Sequence, residues 1–245
     1  MSTSPYDQPP QGDAPDSEQD EDQGSIESAL AGDYDFEITD ILEEAWQSID
    51  GYKLPFAIVS SIYFAIYLLV ILPLAFLLGD SAGAQWVMQA VGLLFVPMNA
   101  AFFMMGIRMA RGEALDNAML FAHYDKLLPL VGLQIAISLA VMLGLVMLII
   151  PGIYIAIAVM FAMPLMVEKN LSILDAFETS RKAVTFHWFK FFLLMLAMML
   201  ITLISILPLG IGLFWTMPMM VAMSGILYRR VFGVGQAKTS GSLVI

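Results

Sequence analysis

An uncharged stretch of 36 residues, 132–167, limits the folds open to this chain more than any other feature of its sequence. The apolar run is interrupted once, by Pro151 and Gly152. A single helix needs roughly 20 residues to cross a hydrocarbon core of about 30 Å, so the stretch is too long for one crossing. Because Pro and Gly interrupt helices where a chain turns, the sequence predicts two antiparallel membrane helices joined at Pro151 and Gly152.

Composition and charge agree with a membrane protein. Apolar residues make up 59% of the chain even without Gly, against roughly 45–50% with Gly counted in soluble domains. Residues 1–50 hold 15 acidic and no basic residues, whereas residues 51–245 hold all 11 Lys and Arg and 7 acidic residues. The acidic balance therefore belongs to the N-terminal region, and no nucleic-acid partner is expected. The absence of Cys excludes disulfides, thiolate catalysis and Cys-ligated metals.

Hydropathy predicts six membrane spans, and a repeated pattern groups them into three hairpins. The segment EEAWQSIDGYKL aligns without gaps on DNAMLFAHYDKL and more loosely on LDAFETSRKAVTFHWFKF, and each copy precedes a pair of apolar segments. We therefore predict an all-α polytopic membrane bundle of six transmembrane helices, built from three hairpin repeats that are each preceded by a cytoplasmic amphipathic helix. The predicted spans are 54–78, 86–105, 127–150, 153–167, 191–207 and 210–227, and the repeats are about 36–106, 107–168 and 169–233.

The ends of the chain are predicted to differ from this membrane domain, which covers residues 33–233. Residues 1–32 are acidic and poor in apolar side chains, which predicts a disordered tail. Residues 234–245 form a short C-terminal tail. All Lys and Arg flank one side of the predicted spans, and the opposite loops carry only Asp80 as a charge. The positive-inside rule then places both termini in the cytoplasm.

The amphipathic segment 36–51 has a polar face of acids alone, which anionic headgroups would repel. We expect it to dock on protein by burying Ile41, Leu42 and Trp46. The expected basic partners are Arg108, Arg111, Arg181 and Lys182.

Small residues recur every four positions on two spans, which allows helix backbones to approach closely. One such face holds Gly132, Ala136, Ala140 and Gly144, and the other holds Ala57, Ser61 and Ala65. Helix packing inside the bundle and an interface between copies of the chain are both consistent with these faces.

Chemically reactive groups are scarce in the spans. No ionisable residue lies inside them, which argues against proton-coupled transport and intramembrane hydrolysis. The most polar groups, Asn99 and Gln134, are expected to form hydrogen bonds between helices. His123 and His187 occupy matching positions, but with only Asp125 nearby they lack the ligands of a zinc site and are expected to act as interfacial anchors.

Two MxxM pairs raise copper(I) as a candidate ligand, because soft thioethers suit that ion. They are Met195 with Met198 and Met220 with Met223, and both lie in apolar spans where Met is ordinary packing. We therefore predict no catalytic, cofactor-binding or metal residues, and no cofactor.

Four segments resemble a known group of proteins: MARGEALDNAMLFAHYDKLLPLVG, LIIPGIY, LSILDAFETSRKAV and GLFWTMPMMVAMSGILYRRVFG. The chain resembles a broad group of bacterial inner-membrane proteins of unassigned function, which is similar to the membrane domain fused to some glycerophosphodiester phosphodiesterases. The resemblance covers most of residues 36–233 and implies the fold and the membrane location. It brings no catalytic residues, and the chain has no room for the soluble phosphodiesterase barrel.

These features predict an integral inner-membrane protein without enzymatic activity, in an accessory or scaffold role. The alternative is a transporter or flippase-like protein for an apolar or lipidic solute, since a bundle lined by Met, Phe and small residues would suffice for that task. A cavity open to one leaflet would distinguish the two. The expected partners are the lipid bilayer and a membrane protein or a second copy of the chain.

Overall fold

The computed structural model describes residues 24–79 and 81–234, and this part of the chain is all-helical. The α-helices are α1 Ile26–Ala31, α2 Ile38–Ser48, α3 Lys53–Leu78, α4 Ala82–Gly92, α5 Val96–Ala110, α6 Leu127–Met147, α7 Ile149–Ala158, α8 Ala162–Glu168, α9 Ile173–Phe186, α10 Trp188–Ile206 and α11 Leu213–Phe232. Short 3-10 helices cover Leu93–Phe95, Asn117–Phe121 and Tyr124–Lys126.

Five helical segments are long and apolar enough to cross a membrane: Lys53–Leu78, Gly83–Ala110, Asn117–Met147, Ile149–Glu168 and Trp188–Ile206. Their outer surfaces are apolar, with Phe76 89% and Ile150 76% exposed. Such large exposed apolar surfaces suit contact with lipid rather than water. The five apolar helices are therefore compatible with a multi-pass membrane protein.

The central hairpin turns at a different residue from the predicted one. Leu148 alone is extended, with φ −164° and ψ 149°, and it joins α6 directly to α7. Pro151 and Gly152 lie in the first turn of α7, where Pro is tolerated because the N–H it lacks would have no helical partner there. A Cβ on Gly152 would lie 2.4 Å from Leu145 Cγ, so this glycine permits the close approach of α7 to α6.

Two of the predicted spans are interrupted helices. The second consists of α4, the 3-10 helix Leu93–Phe95 and α5, and the fourth consists of α7 and α8. The buried Ser180 on α9 holds the break in the fourth: its hydroxyl accepts a hydrogen bond from Phe161 N at 3.1 Å and donates one to Ala158 O at 2.9 Å. Irregular backbone at membrane depth is tolerated when protein groups satisfy it in this way.

Helix α11 lies in the centre of the bundle and packs against α1, α2, α3, α5 and α10. Its closest neighbour is α5, because Gly106 and Gly225 let the two backbones meet. A Cβ on Gly225 would lie 2.0 Å from the carbonyl oxygen of Gly106. Near its C-terminus α11 contributes Tyr228 and Phe232 to an aromatic core around Phe161, whose ring centroid is 6.1 Å and 5.5 Å from theirs.

The acidic helix α2 is docked, but on partners other than those expected. Ile41, Ala45 and Ile49 are fully buried against the bundle, whereas Trp46 is 52% exposed. The Glu44 carboxylate binds Arg229 at 2.5 Å and Arg230 at 2.7 Å, both at the end of α11. The helix turns its Ile41, Ala45 and Ile49 face inward, which leaves Trp46 outside.

The basic side chains that were expected to receive α2 have acidic partners within their own segments. Arg108 and Arg111 pair with Glu113. Arg181 and Lys182 pair with Glu178, and the hydrogen bond from Arg181 lowers the pKa of Glu178 to about 2. These local pairs explain why the predicted partners of α2 were wrong.

Helical structure also differs from prediction at two places near the membrane domain. The last part of the predicted tail forms α1, because Ser25 and Ser28 cap its N-terminus and Ala29 is buried. The rest of that tail, residues 1–23, and the C-terminal residues 235–245 lie outside the described residues. Before the second hairpin, the predicted amphipathic helix is replaced by the 3-10 helices Asn117–Phe121 and Tyr124–Lys126. Asn117, His123 and Asp125 are weak helix formers in this short segment.

Candidate functional site

The feature best suited to bind a ligand is a cavity of about 470 Å³ between α5, α10, α11 and the break before α8. We call it the methionine cavity, because six methionines contribute to its wall: Met160, Met195, Met198, Met199, Met220 and Met223. The volume falls within the range of about 300–1,000 Å³ that is typical of small-molecule sites.

Helical spacing places these side chains on the cavity. Met195, Met198 and Met199 are three and four residues apart on α10, so they share one face of that helix. Met220 and Met223 have the same relation on α11. Met160 joins them because the chain between α7 and α8 departs from helical geometry, so no periodicity in the sequence pointed to it.

The cavity has a buried floor and an open side. Met198 and Met223 are each 1% exposed and form the floor. Met199, Leu203 and Met220 are between 42% and 52% exposed and form the mouth. Met199 and Met220 lie near the middle of α10 and α11, and Leu203 lies in the last turn of α10, so the mouth opens sideways between these two helices.

The wall is chemically unreactive. Among the described residues that line the cavity, none is charged or titratable. The hydroxyls of Thr202 and Ser224 donate to carbonyls of their own helices, Met198 O at 2.8 Å and Val221 O at 2.7 Å. What remains for a ligand is dispersion contact with apolar side chains and polarizable sulfur.

The sequence-predicted MxxM pairs therefore meet in one site. Sequence reasoning treated Met195 with Met198 and Met220 with Met223 as separate pairs and did not include Met160 or Met199. The i, i+4 relation of Met195 to Met199 could have added the latter. The interpretation of these methionines as ordinary packing rather than copper(I) ligands stays a prediction.

The other candidate polar residues lie elsewhere. Tyr63 OH donates to Asn99 Oδ1 at 3.1 Å, which is the interhelical hydrogen bond expected of Asn99. Gln134 instead donates to Ser138 on its own helix at 3.2 Å. Both amides line a second cavity of about 770 Å³.

The two histidines have different surroundings. His187 packs edge-on against Tyr34, with 4.8 Å between ring centroids. His123 lies between the 3-10 helices that precede α6. Across residues 24–79 and 81–234, no three His, Asp or Glu side chains form a group that could hold a metal ion.

No family model, curated protein or solved structure matches this chain. The resemblance to bacterial inner-membrane proteins therefore stays a prediction, and the function has to be argued from the geometry of this chain.

Proposed function

We propose that this chain is a multi-pass protein of the bacterial inner membrane, without enzymatic activity, that takes an apolar or lipidic solute into the methionine cavity. The observation that carries the proposal is the uncharged cavity that opens sideways between α10 and α11. A solute such as a lipid acyl chain would enter it directly from the bilayer. The wall offers such a chain close contact, and the described residues that form it include no acid or base for chemistry.

Six spans are proposed, with α11 as the sixth. Eleven of its residues are buried, so this helix faces protein. Its side chains can therefore be less hydrophobic than those of a span that faces lipid. The position of its C-terminus supports an even number of crossings. Arg229 and Arg230 bind Glu44, which precedes the first span, so both ends of the membrane domain lie at the same end of the bundle.

The proposed orientation places that end in the cytoplasm. The contacts of Arg229 with Ala110 O and of Lys126 with Val167 O bring further span ends to the same side. Lys190 reaches Asp35 there as well. Clustering of Lys and Arg at one end of the bundle supports the cytoplasmic assignment of both termini by the positive-inside rule.

A substitution that blocks the mouth of the methionine cavity tests the proposed function. In Met199→Trp a larger side chain would occupy the mouth of the cavity without touching its buried floor. Met147→Trp is the matched control, because Met147 is 79% exposed on α6 and does not line the cavity. Both variants would be purified in mild detergent, and tightly bound lipids would be counted by native mass spectrometry.

We expect the wild type and Met147→Trp to retain a lipid that Met199→Trp loses. Equal retention in all three proteins, or no retained lipid in the wild type, would contradict the proposal. The latter result would favour the accessory or scaffold role, with a membrane protein or a second copy of this chain as the partner.

A further inference from the structure

A second cavity, between α3, α4, α5 and α6, is of the opposite chemical character. We call it the polar cleft, because hydrogen-bonding side chains from all four helices contribute to its wall: Tyr67, Gln85, Gln89, Asn99, Gln134 and Ser138. Its volume is about 770 Å³. Gly79 and Ala84 also line it. The cleft therefore reaches the end of the first hairpin that is opposite Lys53.

The amides of the polar cleft have hydrogen-bonding capacity left over. Within the described residues, the side chains of Gln85 and Gln89 have no hydrogen-bond partner, and the Asn99 amide uses only its oxygen, on Tyr63. Gln134 uses only its NH₂ group, on Ser138. Each primary amide provides two N–H donors and an oxygen acceptor, so several of each remain for a ligand.

Because of where these amides lie, an empty or lipid-filled cleft would be unfavourable in free energy. Gln89, Asn99 and Gln134 all lie within segments that are apolar enough to cross the membrane. A polar group that faces hydrocarbon without a hydrogen-bond partner is destabilising, because no water is available to replace the partner. A polar ligand in the cleft would supply the missing hydrogen-bond partners.

The occupant should be uncharged. Among the described residues of the wall none is Asp, Glu, Lys, Arg or His, so an ionic group would find no counter-charge. Leu78, Met88 and Leu93 give the same wall an apolar part. Amide donors and acceptors beside apolar surface are suited to hydroxyl groups carried on a carbon skeleton.

We propose that the polar cleft binds a neutral, hydroxyl-rich group, either the headgroup of an uncharged glycolipid or a free sugar. The cleft is separate from the methionine cavity, so this site goes beyond the proposed function. It would be reached from the membrane face opposite the basic residues.

The test uses nanodiscs that contain the full chain and a trace of radiolabelled monoglucosyl dioleoylglycerol, with dioleoylphosphatidylglycerol as the charged comparison lipid. Gln89→Leu removes one unpartnered amide from the cleft. Gln47→Leu is the matched control, since Gln47 is an exposed amide on α2 outside the predicted spans. The fold does not depend on Gln89, because this side chain is exposed and makes no hydrogen bond in the described part of the chain.

We expect the glucolipid to bind in preference to the charged lipid, with affinity lowered by about two- to tenfold in Gln89→Leu and unchanged in Gln47→Leu. Competition by free glucose would assign the site to a soluble sugar, and its failure would assign the site to the lipid headgroup. Equal binding of the two lipids, or unchanged affinity in Gln89→Leu, would overturn the proposal. Since Gln89→Leu leaves the methionine cavity intact, this failure is distinguishable from failure of the proposed function.

Discussion

At the scale of single residues, the close crossing of α5 and α11 depends on two glycines. Gly106 on α5 and Gly225 on α11 pack backbone to backbone, although neither belongs to the two faces of recurring small residues. The face that did recur on α3 is not used within the chain, since Ser61 and Ala65 are exposed. On α6, Gly144 of the predicted face does meet Gly152 of α7.

The first prediction concerns Gly225. In Gly225→Ala the new methyl group would overlap the Gly106 carbonyl and force the helices apart, at a cost of about 1–3 kcal/mol or more. In Gly92→Ala the added Cβ meets no atom within 4 Å, so that control should be neutral or slightly stabilising. Thermal unfolding in detergent measures both, and similar melting temperatures for the two variants would refute the close crossing.

The second prediction concerns Ser180. Ser180→Ala removes a buried hydroxyl that satisfies Phe161 N and Ala158 O, and leaving these groups without partners should cost about 1–3 kcal/mol. Ser205→Ala is the control, because the Ser205 hydroxyl donates only to Ile201 O of its own helix. Denaturation in mixed micelles should show a large loss in the free energy of unfolding for Ser180→Ala and a small loss for Ser205→Ala. Equal losses would mean that Ser180 does not hold the break.

At the scale of elements, the apolar lengths predicted the spans well where a helix runs unbroken. The first span was expected at 54–78 and is Lys53–Leu78. Interruptions within a span were harder to predict, because they depend on tertiary partners. Ser180, which holds the break between α7 and α8, lies on another helix. Proline alone was a poor guide: Pro73 and Pro218 lie inside helices, and the central turn falls three residues before Pro151.

The third prediction concerns the docking of α2. Because Ile41 is fully buried and Trp46 is half exposed, Ile41→Ala should release the helix and Trp46→Ala should not. Loss of the Ile41 side chain should cost about 2–5 kcal/mol. Hydrogen exchange of the amides from Asp40 to Ile49 would report the release. Slower exchange in Ile41→Ala than in Trp46→Ala would contradict this account of the interface.

At the scale of the whole molecule, the sequence predicted the helical class and apolar helices that are compatible with a multi-pass membrane protein. Both follow from composition and from the length of apolar runs. It did not predict the methionine cavity or the polar cleft. Each of these combines residues from distant spans, such as Met160 with Met223 or Gln89 with Gln134. Their assembly depends on which helices become neighbours, and the spacing within a single helix carries no information on that choice.

The most direct test of the central claim, a six-span bundle with both ends in the cytoplasm, is labelling with a membrane-impermeant maleimide. The chain has no Cys, so single cysteines can be placed at Ser81 and Leu209 on one side, and at Glu43 and Lys182 on the other. All four positions are exposed. In intact spheroplasts, only Ser81→Cys and Leu209→Cys should be labelled, and the other two should react after permeabilisation. Labelling of Glu43→Cys in intact spheroplasts, or protection of Leu209→Cys, would contradict the account.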